Sequence, residues 1–389
     1  MGPSRRATIV GLHNTRQARS LDGETPRSLV VAAARGALAD AGLTLADVDG
    51  VCAGAESAAL VYDLRLGPAW QGRQFGLAMV AEAAAAVATG QAELVLVAAA
   101  AAGVYTDRAA TAPWTRPENE FVAPFGLFTA AEFALIARRH MHLYGTTPEQ
   151  LATVAATIRT NGHLHPGAVY HGRGPFAAAD ILASRMVADP FHLLDCSTTS
   201  EGGCALVVTT AERARDLPHP PVHVLGAGMD VFGPAYRNPP VWDLTGRRPG
   251  HLPVGLVGAR AADRAFATAG LARADVDVAE LYDPFSFEII RQLEAFGFCK
   301  PGEGGPFAAE GHVGPGGTLP VTTDGGTMAF SHPGADPQML QRAIRAAEQV
   351  RGDCASRQVT GARVALCSAG GAGALFSMVM LLGAADAAG

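Results

Sequence analysis

Two widely separated stretches of this chain carry the same pattern, and this repeat limits the folds that the chain can adopt. The stretches "AGLTLADVDGVCAG" (41–54) and "AGLARADVDVAELYD" (269–283) both read A-G-L-x-x-A-D-V-D over nine positions, at an offset of 228 residues. A second, weaker match pairs "ELVLVAAAAAG" (93–103) with "RVALCSAGGAG" (363–373), and each follows a helical segment that ends in glycine. Because both matches occur in the same order, the chain reads as two duplicated halves.

Each half reads as strand, helix, strand, helix, strand, with continuous apolar runs of the kind found in a sheet buried between helices. Gly42 and Gly270 stand where a helix C-cap is expected. The repeat therefore predicts an α/β protein with α-β-α-β-α layers, divided into residues 1–217 and 218–389.

A long segment, roughly 104–190, interrupts the first half. It contains "FTAAEFALIARRHMHLYG", which is apolar at helical spacing, and "TPEQLATVAATIRTNG", in which Thr147 is suited to cap a helix that starts at Pro148. We expect this insertion to form a loop domain or lid.

Composition excludes several classes of function. The chain has 389 residues, of which 49% are hydrophobic and 17% are charged, so it can fill a large core. Its net charge of -6 and pI near 6.1 provide no basic field for nucleic acid or anionic lipid. We therefore expect a globular protein that acts on small molecules.

The six cysteines form no C-x-x-C pair, which argues against a zinc ribbon or a disulfide scaffold and favours the reducing cytoplasm. The start "MGPSRRATIV" has no apolar signal core, and "LVLVAAAAAGV" is too short to span a bilayer. The pairs His140 with His142 and His163 with His165 lack the i, i+4 spacing of a helical metal site, so we expect no metal.

The second copy of the repeat ends in polar side chains suited to proton transfer, which the first copy lacks. In "VDVAELYDPFSFEII", an apolar strand leads into a helix, and Tyr282 stands at the end of the strand with Asp283 and Pro284 in the turn. The repeat aligns Tyr282 with Gly54, so the shared scaffold does not require a tyrosine there. We therefore interpret Tyr282 as a functional residue.

Several motifs, in this order and spacing, resemble the thiolase superfamily, in the branch of lipid-transfer-protein or sterol-carrier-linked thiolases. They are "YGTTPEQLATVA", "NGHLHPGA", "SRMVADPFHLLDCSTTSEGGCALVV", "LYDPFS", "LEAFGFCKPGEGGPFAAEG", "LPVTTDGGTMAFSHPGA" and "ALCSAGGAG". The resemblance covers essentially the whole chain. It implies the thiolase fold, in which two mixed sheets and their helices form five layers and a loop domain is inserted.

The resemblance also implies positions for the family's reactive residues. The family's histidine loop matches "FSHPG" and places His332 there, with Ser331 where glycine is usual. The C-x-G loop matches "CSAGG" and gives Cys367, while Tyr282 stands where thiolases keep Asn or His. At the position of the nucleophilic cysteine, or next to it, the chain has Arg73 in "WQGRQFGLAMVAEAAAAVATG".

Without that nucleophile, thiolysis or Claisen condensation through a cysteine thioester is disfavoured, because removal of a covalent nucleophile costs several powers of ten in rate. Stabilisation of a thioester enolate does not need the cysteine. The chain resembles steroid side-chain aldolases of this branch, which lack the cysteine and have tyrosine in the fourth loop. The resemblance implies retro-aldol cleavage of a β-hydroxyacyl-CoA, although those aldolases tend to carry a second tyrosine where this chain has His332.

Roles follow as hypotheses. A free phenol has a pKa of about 10, so Tyr282 is a base only if a cation such as protonated His332 or Arg73 favours its ionisation, and it is equally suited to donate a proton. His332 would stabilise the enolate. Cys367 would exchange the proton at Cα, and Asp283 would orient Tyr282 or act as a base itself.

Five further residues are predicted to contact the substrate, and coenzyme A is expected as part of that substrate rather than as a tightly bound cofactor. Arg73 would bind a phosphate or pair with a carboxylate, and the sequence leaves both roles open. The predicted substrate-binding residues are Arg73, Gly326, Ser331, Gly370 and Gly371.

The resemblance further implies a homodimer formed through the sheet edge, and a small OB-fold, zinc-ribbon companion protein that completes a heterotetramer. Two alternatives to the lyase remain open at this point. One is an acyltransferase or condensing enzyme of secondary metabolism that uses Cys367 or an acyl-carrier donor. The other is a non-catalytic thiolase-fold scaffold that binds acyl-CoA.

Overall fold

A computed structural model of the chain describes residues 5–103, 129–231, 257–371 and 376–387. The first part of the predicted insertion, 104–128, lies outside the described residues. The helices are α1 (Pro26–Asp40), α2 (Ser57–Asp63), α3 (Ala78–Thr89), α4 (Thr129–Tyr144), α5 (Pro148–Leu164), α6 (Ala178–Ala183), α7 (Ala211–Ala214), α8 (Ala259–Ala269), α9 (Ser286–Ala295), α10 (Gly304–Ala309), α11 (Gly326–Ala329) and α12 (Ala335–Arg351). The strands are β1 (Ala7–Asn14), β2 (Gly50–Cys52), β3 (Trp70–Gly72), β4 (Leu94–Ala101), β5 (Met186–Ala188), β6 (Phe191–His192), β7 (Gly202–Thr210), β8 (Val222–Val231), β9 (Val278–Glu280), β10 (Val364–Gly371) and β11 (Phe376–Gly383).

The strand pairing of the first half is repeated in the second. In the first half the order is β3-β2-β4-β7-β1, and in the second it is β8-β11-β10-β9. In the first half β1 is antiparallel to β7, β7 is antiparallel to β4, and β4 is parallel to β2. In the second half β8 is antiparallel to β11, β11 is antiparallel to β10, and β10 is parallel to β9. This shared topology confirms the predicted α/β duplication, while the division between residues 217 and 218 stays a prediction.

The two half-sheets are joined rather than separate. Strand β1 pairs with β8 at Thr8↔His223 and Ile9↔Val222, so the nine strands form one continuous mixed sheet. The expectation of two distinct mixed sheets is corrected in this respect. The physical reason is that β1 and β8 are both edge strands of their halves, and edge strands offer unpaired N–H and C=O groups to each other.

Five layers are present, as predicted. Helices α3 and α12 lie between the half-sheets, and their apolar faces form a central core with strands of both halves. Helix α1 covers the outer face of the first half-sheet, and α8 covers that of the second, where helices of the insertion extend the same core. Because strands of the half-sheets are buried on both faces, they read as continuous apolar runs.

The repeated pattern folds identically at both sites. Short 3-10 turns at Leu45–Asp47 and Arg273–Asp275 are followed by β2 and β9, each at the same offset as the sequence match. The glycines that end the preceding helices, Gly42 and Gly270, adopt positive φ angles of 67° and 69°. These angles confirm the predicted C-caps, because only glycine adopts that conformation without strain.

The described part of the insertion is helical where the sequence predicts it. Thr147 caps α5, since its hydroxyl accepts a hydrogen bond from the backbone N–H of Gln150. Phe133 of α4 packs against Phe285, with ring centroids 4.9 Å apart, so the insertion contacts the segment that follows Tyr282. No helix among the described residues is both long enough and apolar enough to cross a bilayer.

Close packing of α8 on the sheet requires glycine in β8. A Cβ atom at Gly228 would collide with the backbone carbonyl of Ala261, which cannot move without displacing α8. We expect Gly228→Ala to lower the free energy of unfolding by about 2 to 3 kcal/mol, because overpacking of a tight contact forces backbone shifts. Urea denaturation followed by circular dichroism measures this change.

The matched control is Gly67→Ala, because a Cβ atom at Gly67 would have no heavy atom within 4 Å. We expect it to change stability by less than about 0.5 kcal/mol. Equal effects of the two substitutions would contradict the packing argument.

Candidate active site

Tyr282 lies two residues beyond β9, and two hydrogen bonds from side chains hold its backbone. Its N–H donates to Ser368 Oγ at 3.0 Å, and its carbonyl accepts from Gln292 Nε2 at 2.6 Å. The hydroxyl of Ser368 donates in turn to Gln292 Oε1. Since Ser368 belongs to β10 and Gln292 to α9, these bonds fix Tyr282 between a strand and a helix.

The ring of Tyr282 lies against the end of β10. A Cβ atom at Gly370 would lie 3.3 Å from Tyr282 Cδ1, and one at Gly371 would lie 4.0 Å from its hydroxyl oxygen. The structure thus brings Tyr282 together with two of the predicted substrate-binding residues. Next to them, the ring of Phe376 packs edge to face on that of Phe75, with centroids 5.6 Å apart.

Asp283 is fully buried, and its described hydrogen bonds hold the turn of α11. Its carboxylate accepts from the backbone N–H groups of Thr327 and Met328 at 2.7 and 3.1 Å, and from the Thr327 hydroxyl at 3.1 Å. Burial raises the pKa of Asp283 to about 7. These contacts make Asp283 an anchor of α11, and its expected roles, to orient Tyr282 or to act as a base, stay predictions.

Gly326 is needed for this contact. A side chain there would collide with the Asp283 carboxylate, and its φ of 56° also favours glycine. Close packing thus accounts for the glycine, and contact of Gly326 with substrate stays a prediction.

A buried ionic network lies next to α11. Arg342 of α12 forms two hydrogen bonds of 2.8 Å with the Asp324 carboxylate, and its guanidinium lies 3.6 Å from Glu280. Although burial favours a neutral carboxyl, Arg342 holds the pKa of Asp324 at about 2. Burial, together with the neighbouring Asp324, raises the pKa of Glu280 to about 7. The network fixes the segment before α11 to the central helix layer.

His332 follows α11 and pairs with the segment before β7. Its N–H donates to Ser200 Oγ at 2.7 Å, and the N–H of Ser200 donates to the His332 carbonyl at 3.3 Å. Burial lowers the pKa of His332 to about 4, so the imidazole is neutral at neutral pH. A neutral His332 carries no charge that would favour ionisation of Tyr282, and its role in stabilising the enolate stays a prediction.

Ser331 faces the interior, with 2% of its surface exposed. Its hydroxyl donates to Gln17 Oε1 at 2.7 Å and lies 2.8 Å from the hydroxyl of Ser200. These partners occupy the hydroxyl, and contact of Ser331 with substrate stays a prediction.

Cys367 lies in the central core and has no exposed surface. Burial raises the pKa of its thiol well above the ordinary range. A thiol that stays protonated and has no access to solvent is a poor acid, base or nucleophile. This environment favours a packing role for Cys367, and proton exchange by its thiol stays a prediction.

Arg73 is exposed on the loop between β3 and α3, five residues before the first residue of that helix. The backbone N–H groups of Arg73 and Gln74 donate to Glu82 Oε2 at 2.9 and 2.8 Å, which holds the loop against α3. Phe75 of the same loop reaches the rings beside Tyr282. The loop therefore borders the site, and the guanidinium of Arg73 is accessible.

Two apolar spaces adjoin these residues. A cavity of about 810 Å³ is lined by Pro333 and Gly334, next to His332, and by the end of β4. A groove of about 470 Å³ runs between α3, β8 and β11, and Met378 in its wall is two residues from Phe376. Within the described ranges, no cluster of His, Cys, Asp or Glu could hold a metal ion.

Known proteins share this architecture along nearly the whole chain. A family model described as thiolase C-terminal domain-like matches residues 255–384. A steroid side-chain-cleaving aldolase of Thermomonospora curvata is 35% identical over 356 residues, which cover 84% of this chain and 86% of that protein. The chain belongs to the thiolase superfamily.

Two further comparisons place this thiolase-fold chain beside the aldolases. The 17-hydroxy-3-oxo-4-pregnene-20-carboxyl-CoA lyase of Mycobacterium tuberculosis is 35% identical over 351 residues, covering 85% of this chain and 88% of that protein. The solved structure of an Ltp2-ChsH2(DUF35) aldolase matches with a TM-score of 0.84 and 32% identity, and covers 99% of this chain and 100% of that one. The resemblance predicted from the motifs is confirmed.

Sequence reasoning missed several residues that build this thiolase-fold site. Ser368 and Gln292 hold Tyr282, while Ser200 and Gln17 hold the histidine loop. A polar run, "STTSEGG", directly before an apolar strand was the available signal for Ser200. Gln17 carried no such signal, because Gly203 and Ser331, which connect it to the histidine loop, are more than 180 residues away in the sequence.

Removal of the Asp283 carboxylate should destabilise the fold. We expect Asp283→Ala to lower the free energy of unfolding by about 3 kcal/mol, because it leaves buried donors of α11 without an acceptor. As a control, Asp275→Ala removes an exposed carboxylate that accepts one backbone bond from Ala272, and should cost about 1 kcal/mol or less. Chemical denaturation of both variants tests this difference, and equal losses would contradict it.

The low pKa of His332 predicts a specific loss of stability in acid. An unfolded imidazole titrates near 6.5, whereas folded His332 titrates at about 4, so the unfolded chain binds more protons between these values. The free energy of unfolding should fall as pH decreases from about 6.5 to about 4, and His332→Gln should lose less stability over that window. Urea denaturation at several pH values measures the slope.

His171→Gln, at an exposed position, should keep the wild-type slope. A wild-type slope in His332→Gln would show that His332 is not held neutral by the fold.

Proposed function

We propose that this chain is a carbon–carbon lyase that cleaves a β-hydroxyacyl-CoA by a retro-aldol reaction. The observation that carries the proposal is the phenol of Tyr282 beside Gly370 and Gly371, in a thiolase-fold site whose nucleophile position has Arg73. The aldolase and the lyase that are 35% identical to the chain support the same reaction class.

The proposed reaction needs no oxidant, water or covalent intermediate. A base removes the proton of the β-hydroxyl, the Cα–Cβ bond breaks, and its electron pair forms the enolate of the thioester. The β-carbon leaves as a ketone or aldehyde. Protonation of the enolate at Cα then yields the shorter acyl-CoA.

The geometry supports separate roles for the two aromatic side chains. A neutral imidazole has one N–H to donate, so His332 can stabilise negative charge on the thioester oxygen without carrying charge itself. Tyr282 has a backbone held on both its N–H and its carbonyl, which suits a phenol that must exchange a proton at one place. In this proposal Tyr282 serves the β-oxygen and His332 serves the thioester oxygen.

The apolar spaces support a bulky acyl group. The groove near Phe376 is lined mainly by alanine, leucine and methionine, whereas the cavity beside Pro333 is lined by alanines together with the charged Arg27, Glu56, Asp63 and Asp336. The walls of the groove favour ligands with little polarity. We propose a steroid or similarly large apolar side-chain CoA thioester as substrate, in keeping with the names of the two relatives.

The proposed assembly contains a second copy of the chain and a companion protein. Strand β3 is the outermost strand of the nine-stranded sheet, so it offers an edge for pairing with another copy. The similar Ltp2 aldolase structure includes a DUF35 protein, and this supports a companion of that kind for the present chain. All six cysteines are free, which agrees with a proposed location in the cytoplasm.

Acyl transfer through Cys367 is the weaker alternative, because that thiol is enclosed in the core. A scaffold without catalysis would bind acyl-CoA and release no product.

Substitution of Tyr282 tests the proposed reaction directly. The chain, purified alone and with its co-expressed companion, is incubated with β-hydroxyacyl-CoA substrates, and the released ketone or aldehyde is quantified. We expect Tyr282→Phe to lower kcat by at least about 100-fold with little change in stability, because only the phenolic hydroxyl is lost. Near-normal turnover by this variant would exclude the assigned role.

Cys367→Ala is the matched control and should retain turnover, because it removes the thiol without touching Tyr282. Mass spectrometry of the protein after incubation should show no acyl adduct. An adduct on Cys367 would support the acyltransferase instead.

A further inference from the structure

A chain of buried hydrogen bonds runs from the N-terminal segment to the backbone of His332. The N–H of His332 donates to Ser200 Oγ at 2.7 Å, and the hydroxyls of Ser200 and Ser331 lie 2.8 Å apart. The hydroxyl of Ser331 donates to Gln17 Oε1 at 2.7 Å, and Gln341 Nε2 donates to the same oxygen at 3.1 Å. Each of the four side chains is at least nine-tenths buried.

The hydrogen bonds of this network all run in one direction, from the N–H of His332 to Gln17. Ser200 Oγ accepts from His332, so its own proton is free for Ser331 Oγ. Since Ser331 in turn donates to Gln17, every hydroxyl proton has an acceptor. Hydrogen bonds that are aligned in this way polarise one another, and in a buried setting the whole set resists the loss of any member.

Gln17 is a fixed anchor for the chain. Its Nε2 donates to the carbonyls of Thr15 and Gly203 at 2.8 and 3.1 Å. A Cβ atom at Gly202 would collide with the Gln17 side chain, so the backbone of β7 is closely packed around it. The anchor therefore ties His332 to the ends of β1 and β7 in the other half of the molecule.

We propose that Ser200 and Ser331 are positioning residues, which hold His332 in the place from which it stabilises the enolate. This inference rests on the proposed retro-aldol function and deepens it. Ser331 stands where the resemblance leads one to expect glycine, and glycine has no hydroxyl to link Ser200 with Gln17. The histidine loop of this chain is thus held by side-chain bonds that depend on its own serine.

The fixed position has a catalytic consequence. Donors that stabilise a developing charge are effective only when they are held at hydrogen-bond distance, and a displacement of about 1 Å can cost roughly 100-fold in rate. Loss of Ser200 leaves the buried N–H of His332 without its acceptor and frees the loop. Substrate binding through the acyl group and coenzyme A does not depend on this bond.

The kinetic test compares kcat and KM of the companion-bound protein on its best β-hydroxyacyl-CoA substrate. We expect Ser200→Ala and Ser331→Ala each to lower kcat by about 10- to 100-fold, with KM within about threefold of wild type. Ser200→Cys, which is nearly isosteric and a weaker acceptor, should recover part of the loss and replaces Ser200→Ala if that variant does not fold.

The double variant tests whether the serines act as one unit. Because both belong to the same chain of bonds, Ser200→Ala with Ser331→Ala should lower kcat little further than Ser200→Ala alone. Ser184→Ala is the matched control, since its hydroxyl bridges Ile181 and Leu194 of the insertion, away from His332. It should keep kcat within about twofold of wild type.

A second readout does not need activity. The imidazole of His332, observed by NMR with labelled histidine, should titrate at higher pH in Ser200→Ala than in wild type, because a freed loop admits water to the ring. Unchanged kcat together with an unchanged His332 titration in both serine variants would overturn the positioning role. If wild type cleaves no substrate but the titration shifts, the proposed function fails while the positioning survives.

Discussion

The ion pair between Arg342 and Asp324 joins the central helix α12 to the segment that leads to His332. Arg342 lies on α12, the helix that packs between the half-sheets, and it has no exposed surface. A guanidinium in this position is tolerated only with partners of opposite charge, and Asp324 and Glu280 supply them. The segment that leads to α11 and His332 is therefore bound to the central layer of the molecule.

The site is held by hydrogen bonds between different segments of the chain rather than by local structure. Asp283, one residue after Tyr282, accepts from the N–H groups that begin α11. Ser368 and Gln292 hold Tyr282 from β10 and α9, while Ser200 holds His332 from the segment before β7. The two proposed reactive side chains thus share a rigid frame, which suits a reaction that depends on placed donors.

Much of the fold could be predicted from the sequence, because the two halves of the chain share a recognisable residue pattern. The matched stretches fold into the same turns and strands at the same offsets, and their glycines have the positive φ angles that a C-cap demands. Among the site residues, the proximity of Tyr282 to Gly370 and Gly371 also agreed with the motifs. The contacts of Asp283, Gly326, Ser331 and Cys367 could not be predicted, because a motif gives the place of a residue along the chain and leaves open which side it faces.

The sequence by itself determined the α/β duplication, the glycines at helix ends and the absence of a cysteine at the nucleophile position. These features depend on local conformation and residue chemistry, which the order of amino acids contains directly. Only the tertiary structure decided that β1 and β8 join the half-sheets, that His332 is neutral, and that Ser331 reaches Gln17. Each of these depends on burial or on contacts between residues far apart in the chain, and such contacts exist only after the core has formed.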